Sequence, residues 1–386
     1  MRRNKTVLLY IGIIVLIALM IFFYGQRAAL DSEDVEKQAL VIAVDNSDVI
    51  HSSISSIGNQ VLTVQLLAGK YQGEVINADN NLMGQVELDN IYVPGDKLFV
   101  ALLEKDGKVV GARAIDLYRQ DWELLLFGLF VLLLVLYAGK TGLKALLSFV
   151  ASLYLFWEFL IPGLLAGHNP LLFSSLILLL LSAVIIFAIA GFTAKGLAAF
   201  VGTISGLFAS IGIACFFGNR LGLLGMTLPY AQTLLISTGL KLNMKEIFYA
   251  AIIIGASGAA MDIAMDIAAS MAEVKLKKPE IGFRELVQSG FNVGRAVIGT
   301  MTTTLLLAYS GGYLTLLMLF MTKDSSMIRM FNYKIVAAEI LRIITGSIAL
   351  VLVAPITAFV AGWIYSIQPK EVVVWLKRIK LGNWSR

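Results

Sequence analysis

The 386-residue chain reads as an all-α polytopic membrane bundle, about eight transmembrane helices, carrying a small extracytoplasmic β-rich domain. Three observations predict this. Hydrophobic residues make up 58% of the chain and charged ones only 15%, with a mean hydropathy of +0.81, unlike a soluble domain. Apolar runs of about 20 residues, the helical length that crosses a hydrocarbon core of roughly 30 Å, recur along most of it. One stretch, 28–118, interrupts them with ordinary soluble composition.

The elements follow in order. MRRNK and then VLLYIGIIVLIALMIFFY (7–24) have the basic start and apolar core of a signal sequence. The core is long and no small-residue cleavage site follows, so 1–27 reads as an uncleaved anchor with its amino terminus inside. Residues 28–118 are then delivered outside. Their short apolar runs ALVIAV, QVLTVQLL and KLFVALL are separated by turn signals, and Asp106-Gly107 is placed for a tight hairpin. This is a small β-rich domain, with a barrel as one form open to it and no ligand signature. Residues 119–366 form the polytopic domain, with helices expected at about 122–138, 143–166, 171–190, 197–217, 246–272, 284–310 and 335–365. A basic cytoplasmic tail, 367–386, ends the chain.

The net charge of +5 and pI near 9.1 do not point to nucleic acid. The basic residues cluster in short loops beside apolar runs, where they encode orientation. Arg2, Arg3, Lys5, Lys140, Lys144, Lys195, Lys275, Lys277, Lys278 and the tail fall on one side, so both termini are expected inside. Two segments fit no simple crossing. Residues 218–245 are glycine-punctured and 313–321 are short, following Gly311-Gly312. They are either half-helices near a transport site or helices along the interface.

The polar residues inside the apolar runs carry the functional argument. In GASGAAMDIAMDIAASMAE (255–273), helical spacing puts Gly255, Gly258, Asp262, Asp266, Ser270 and Glu273 on one stripe. Small residues on it suggest close packing against another helix, so the stripe is expected to look inward. In the next run, Gln288, Asn292, Arg295, Gly299, Thr302 and Thr303 form a second stripe. Asp262 and Arg295 each lie about twelve residues from the basic loop between them, hence both roughly 18 Å deep and able to pair. An aspartate or arginine at mid-helix costs roughly 2.5 to 3.5 kcal/mol on insertion scales, a strong motive for pairing. One arginine cannot neutralise two aspartates, and the remaining carboxylate must be protonated, hydrated or bound to a cation. The alternative is an Asp-Arg pair that only holds two helices in register. Glu158, beside Pro162, and the pair Glu339 and Arg342, three apart near the outer end of the last helix, are weaker candidates. The second pair can satisfy itself. The threonine run 302–304 is expected to return hydroxyl bonds to its own backbone.

With these residues in view, GASGAAMDIAMDIAASMAE, GRAVIGTMTTTLLLAYSGG and AAEILRIITGSIALVLVAPITA carry a resemblance. Together with the order of anchor, outer domain and bundle, they make the chain similar to the YibE/F-like family of bacterial multi-pass membrane proteins, over nearly its whole length. The resemblance implies a cytoplasmic-membrane location and supplies no substrate. In the family pattern a small polar residue often stands at Asp266, an acid often follows the arginine where this chain has Ala296, and asparagine often stands at Thr303. Asp262 and Arg295 are the pair it singles out.

The resulting expectation is a secondary transporter or permease of unknown substrate, with the Asp/Arg site coupling to a proton or cation. A small solute or a lipid headgroup would be the cargo. The alternative is a non-transporting scaffold or sensor in which the pair is structural. Enzymatic chemistry is not expected. The two aspartates share one helix, and no HExxH, GxSxG or GxxxxGK[ST] pattern occurs. His51 and His168 are far apart and Cys215 is alone, so no metal or other cofactor is expected either.

Overall fold

A computed structural model describes residues 35–366 except 87, 106, 107 and 323–325. The anchor, the Asp106-Gly107 turn and the basic tail lie outside the described residues. The chain divides into two compact units, Met1–Gly139 and Lys140–Arg386.

The first unit is built on five strands: β1 (Val35–His51), β2 (Ser56–Leu66), β3 (Val75–Met83), β4 (Lys97–Lys105) and β5 (Lys108–Leu117). They close into a barrel in the order β1-β2-β3-β5-β4, with β3 and β5 parallel. This is the five-stranded Greek-key arrangement of OB-type barrels. Lys105 pairs with Lys108, leaving two residues for the β4–β5 turn, as the hairpin signal requires. Register shifts in β1 between Val41 and Ala43 and between Asp45 and Asp48 let one long strand bend, pairing with β4 up to Leu40 and with β2 from Ala39 onward. Gly58 sits opposite the second shift at φ +120°, where a Cβ would strike the Asp48 carbonyl.

Alternation along β2 buries Gln60, Leu62, Val64 and Leu66. Gln60 is a polar group in an apolar barrel, and every part of its amide is used. Its Nε2 donates to Asn46 Oδ1 (2.8 Å) and the Tyr92 carbonyl (2.9 Å), while its Oε1 accepts from Asn80 Nδ2 (3.0 Å) and the Tyr92 amide (3.1 Å). Tyr92 is buried beside it, and burial pushes its phenol up to about 12.

Helix α1 (Gln120–Tyr154) leaves the barrel and is interrupted at Gly139 (φ 53°, ψ −124°), the boundary between the units. The predicted helices 122–138 and 143–166 therefore appear as one broken run, Gln120–Leu165. A π-helical turn, Leu155–Leu160, precedes α2 (Ile161–Leu165) and its Pro162. Proline has no N–H to continue the ladder, so the turn before it widens.

The second unit continues with α3 (Pro170–Ala190), α4 (Ala194–Arg220), α5 (Ala231–Thr238), α6 (Met244–Lys277), α7 (Phe283–Gly312), α8 (Leu314–Met321), α9 (Met327–Phe331) and α10 (Lys334–Ser366). Asn169, Thr193 and Asn243 cap the starts of α3, α4 and α6 by accepting from backbone amides. Among the described residues five helical runs are long and apolar enough to cross a membrane, or six when α7 and α8, bent by 71°, count as one. The bend falls just past Gly311-Gly312. Helix α5 has eight residues, about 12 Å, too short to cross.

Helix α6 is the centre, packed against α3, α4, α7 and α10. Ala256, Ala260, Ile263, Ala264, Ile267, Ala268 and Met271 form its buried face. Glycines bring the neighbours close. A Cβ at Gly202 or Gly206 of α4 would run into Thr357 or Val353 of α10, and one at Gly294 of α7 would sit 3.3 Å from both Ala354 and Ile267. Backbone approach through small residues is how helices associate where no hydrophobic effect drives them together.

Candidate functional site

The two sequence stripes do not meet. Asp262, Asp266 and Gly258 are exposed on α6, and Asn292, Arg295, Gly299 and Thr303 are exposed on α7, with Thr302 half-buried. Among the described residues no ion pair joins Asp262 or Asp266 to Arg295. The expected inward-facing stripe is thus corrected: Gly258, Asp262 and Asp266 are exposed, and of the stripe Gly255 alone is shown close to α7, against the Tyr309 hydroxyl. Nothing lies within 4 Å of a Cβ built at Gly258 or Gly299, so these glycines are not the packing contacts. Gly202, Gly206, Gly290 and Gly294 take that role.

Two geometric facts explain the missing pair. The first is depth. Met271 meets Gly290, Ile267 meets Gly294, and Ala256 and Leu305 meet at Gly346, a ladder that sets Asp266 level with Arg295 and Asp262 level with Gly299. Helix α6 runs on to Lys277, past the expected end at 272, which shifts the register by about one turn. The second is direction, since successive helical residues turn about 100°. One step past Ile267, Ala268 is buried and its carbonyl accepts from Tyr365 of α10 (2.9 Å); one step before it, Asp266 is exposed. On α7, Phe291 stacks edge-on against Phe359 of α10 (5.3 Å), and Arg295 lies beyond it on that side. The acid and the base stand at one level with no ion pair between them among the described residues.

Several of the other polar groups bond within their own helix. Gln288 Nε2 donates to Asn292 Oδ1 (3.3 Å). Thr302 and Thr304 donate to the carbonyls of Ile298 (2.9 Å) and Thr300 (3.0 Å), the backbone return the sequence suggested for these two. Glu158 sits half-buried in the π-helical turn.

The buried charge pair of the bundle is the one ranked lower from sequence. Arg342 Nη1 lies 3.3 Å from Glu339 Oε1, with side chains 13% and 11% exposed. The same nitrogen donates to the Tyr313 hydroxyl (3.3 Å), and the guanidinium sits 5.8 Å over Phe248 and 5.9 Å over Tyr313. The Tyr309 hydroxyl and Arg342 Nε are buried without a hydrogen-bond partner among the described residues. Tyr309 comes from α7, Tyr313 from the bend between α7 and α8, and Phe248 from α6, so no local spacing in the sequence announces them. The i, i+3 spacing of Glu339 and Arg342 gave the pair itself, but not its depth of burial. Among the described residues no group of three or more His, Cys, Asp or Glu could hold a metal ion.

A five-stranded barrel followed by an apolar helical bundle defines a multi-pass membrane protein with an appended β-barrel domain. Family models agree in both parts: one described as YibE/F-like protein matches residues 126–367, and one described as the YibE/F family N-terminal domain matches residues 36–117. The chain belongs to the YibE/F family. No curated protein and no solved structure matches it.

Proposed function

We propose that the protein is a secondary transporter or permease in which Asp262 and Asp266 take up a proton or cation. One observation carries this reading. Two carboxylates one turn apart stand exposed on the most enclosed helix, level with the middle of an apolar bundle, and among the described residues neither is ion-paired to a guanidinium or ammonium. A bare carboxylate at that depth is costly. The flank is stable in apolar surroundings when its acids are protonated or hold a cation, and stable when ionised only where water reaches them. Exchange between those two states is what coupled transport requires. Arg295, level with Asp266 but not ion-paired to it among the described residues, becomes a second charged station rather than a competitor for the same carboxylate.

The rest of the proposal follows the charge pattern. The bundle sits in the cytoplasmic membrane with both termini inside, the barrel lies outside, and the broken run Gln120–Leu165 accounts for two of eight crossings. The bent α7–α8 pair and α5 gate the outer side. The cargo is a small solute or a lipid headgroup, and no cofactor or catalytic step is needed. A second reading, a non-transporting scaffold or sensor, draws support from the level placement of Asp266 and Arg295, since a partner with the opposite charge at that depth would satisfy either. The test is thermal stability of the detergent-purified protein across sodium, potassium and lithium salts and across pH. Ion- or proton-dependent stabilisation lost in Asp262→Asn/Asp266→Asn supports the ion site. An identical profile in wild type and double variant removes it.

A further inference from the structure

We infer that one end of the β-barrel is a membrane-docking rim, inserted at the surface of the same bilayer that α1 enters. The strand register defines that end. Ile50 pairs with Ile57 and Ile57 with Met83, so the β1–β2 loop and the end of β3 lie together. Strand β5 runs parallel to β3, with Ala78 opposite Ala112 and Asp79 opposite Arg113, so it finishes towards the end where β3 finishes, and Asn90, just past β3, bonds Asp116 and Arg119 there. The chain therefore leaves the barrel at this same end.

The exit is firmly tied. The Tyr118 amide donates to the Lys97 carbonyl (2.8 Å), and Lys97 Nζ pairs with Asp121 (3.1 Å) in the first turn of α1. Arg119 Nη2 donates to Asn90 Oδ1 (3.0 Å) and its Nη1 to Asp116 (2.7 Å), while Asn90 Nδ2 donates to Asp116 (2.9 Å), locking the 84–93 segment to the start of the helix. Trp122 follows Arg119 by three residues, about 4.5 Å of helix, and is 75% exposed. Tryptophan at the head of an apolar run marks the headgroup level. From Leu124 to Tyr137 the helix is apolar all round, and among the described residues its apolar window is not buried. The headgroup region thus lies about one helical turn from the barrel's end.

That end is greasy where a soluble domain would be polar. Ile50, Ile54, Ile57, Met83, Val86 and Leu88 all stand out from it, Ile54 being 84% and Leu88 64% exposed. A groove of about 270 Å³ opens between Ile54, Val86 and Ile91, and Ser52, Ser53, Ser55 and Ser56 supply hydroxyls along it. Contiguous apolar side chains on a surface mark an interaction site, and a loop tip that mixes them with hydroxyls suits the boundary between headgroups and acyl chains, entered to roughly 5–10 Å. The bilayer is the occupant because α1 brings it to this face by covalent and hydrogen-bonded connection. The docking does not depend on transport. Its consequence is a barrel with a fixed tilt on the membrane, held at α1 and at the β1–β2 loop.

The experiment uses the full chain with Cys215→Ser, which removes the single native cysteine. Cysteines placed singly at Ile54→Cys, Leu88→Cys and Gln72→Cys, the last in the β2–β3 turn at the opposite end, are labelled with the environment-sensitive fluorophore NBD and reconstituted into phosphatidylcholine vesicles. Labels at 54 and 88 are expected to emit blue-shifted light, to be quenched by doxyl-labelled phosphatidylcholine and to resist aqueous iodide; the label at 72 should do the reverse. Iodide quenching at 54 and 88 equal to that at 72 overturns the inference. So does shielding from both quenchers, which would assign the rim to a protein partner.

Discussion

Replacing Arg342 with methionine tests how much the buried ion pair contributes to the bundle. The guanidinium and the Glu339 carboxylate are 3.3 Å apart and nearly enclosed, so an effective dielectric of 20 gives a Coulomb attraction of about 5 kcal/mol. Most of that offsets the desolvation of two ions, and the net worth of the pair is small. Removing one partner is different. It leaves the carboxylate among Phe248, Tyr309 and Tyr313 with its opposite charge gone, a loss of roughly 3–5 kcal/mol. For a unit of this size that is a fall of roughly 10 °C in apparent melting temperature. The double replacement Glu339→Gln/Arg342→Met removes both charges and should recover most of the loss. Fluorescence-detected size-exclusion chromatography after stepwise heating reads all three proteins. A single variant as stable as wild type, or a double variant worse than the single, would refute the reasoning.

Three further outcomes follow from the packing. Gly206→Leu places a side chain where Val353 already stands, and should abolish a monodisperse peak on size-exclusion chromatography, whereas Gly258→Ala meets open space and should leave the peak unchanged. Gln60→Leu strands the Tyr92 amide and carbonyl inside the barrel and takes one of two partners from Asn80 Nδ2, costing about 3 kcal/mol in urea unfolding followed by circular dichroism. The Tyr92 phenol is raised from 10.0 to about 12 in the folded barrel, so its neutral form contributes stability that is complete below about pH 10 and lost as pH rises through about 12; Tyr92→Phe should flatten that alkaline decline in melting temperature.

What the sequence disclosed, and what it withheld, divides along a physical line. Local signals survived: apolar length located long helices fit to cross a membrane, β4 and β5 pair as a hairpin, Gly311-Gly312 preceded a 71° bend, and Pro162 disturbed its helix. Long-range placement did not. Barrel closure through a parallel β3–β5 pair has no local signature. The spacing of Asp262 and Arg295 from a shared loop spoke to depth, but pairing also needs a shared azimuth, and that is set by where α10 inserts beside α6 and α7. Small residues on the acidic stripe suggested packing there, yet the contacts use Gly202, Gly206, Gly290 and Gly294, because each of these faces a backbone on α10 or a bulky side chain on α6. Burial of Glu339 and Arg342 depends on aromatic residues from two other helices, so spacing along α10 showed the pair without its enclosure.

The carboxylates of α6 are the point on which the functional account turns. Proteoliposomes loaded with a pH-sensitive dye and subjected to imposed sodium, potassium and proton gradients measure it directly. Wild-type protein should dissipate at least one gradient faster than empty vesicles, and Asp262→Asn/Asp266→Asn should return the rate to the empty-vesicle level while inserting normally. Equal rates in wild type and double variant, both above empty vesicles, would contradict it.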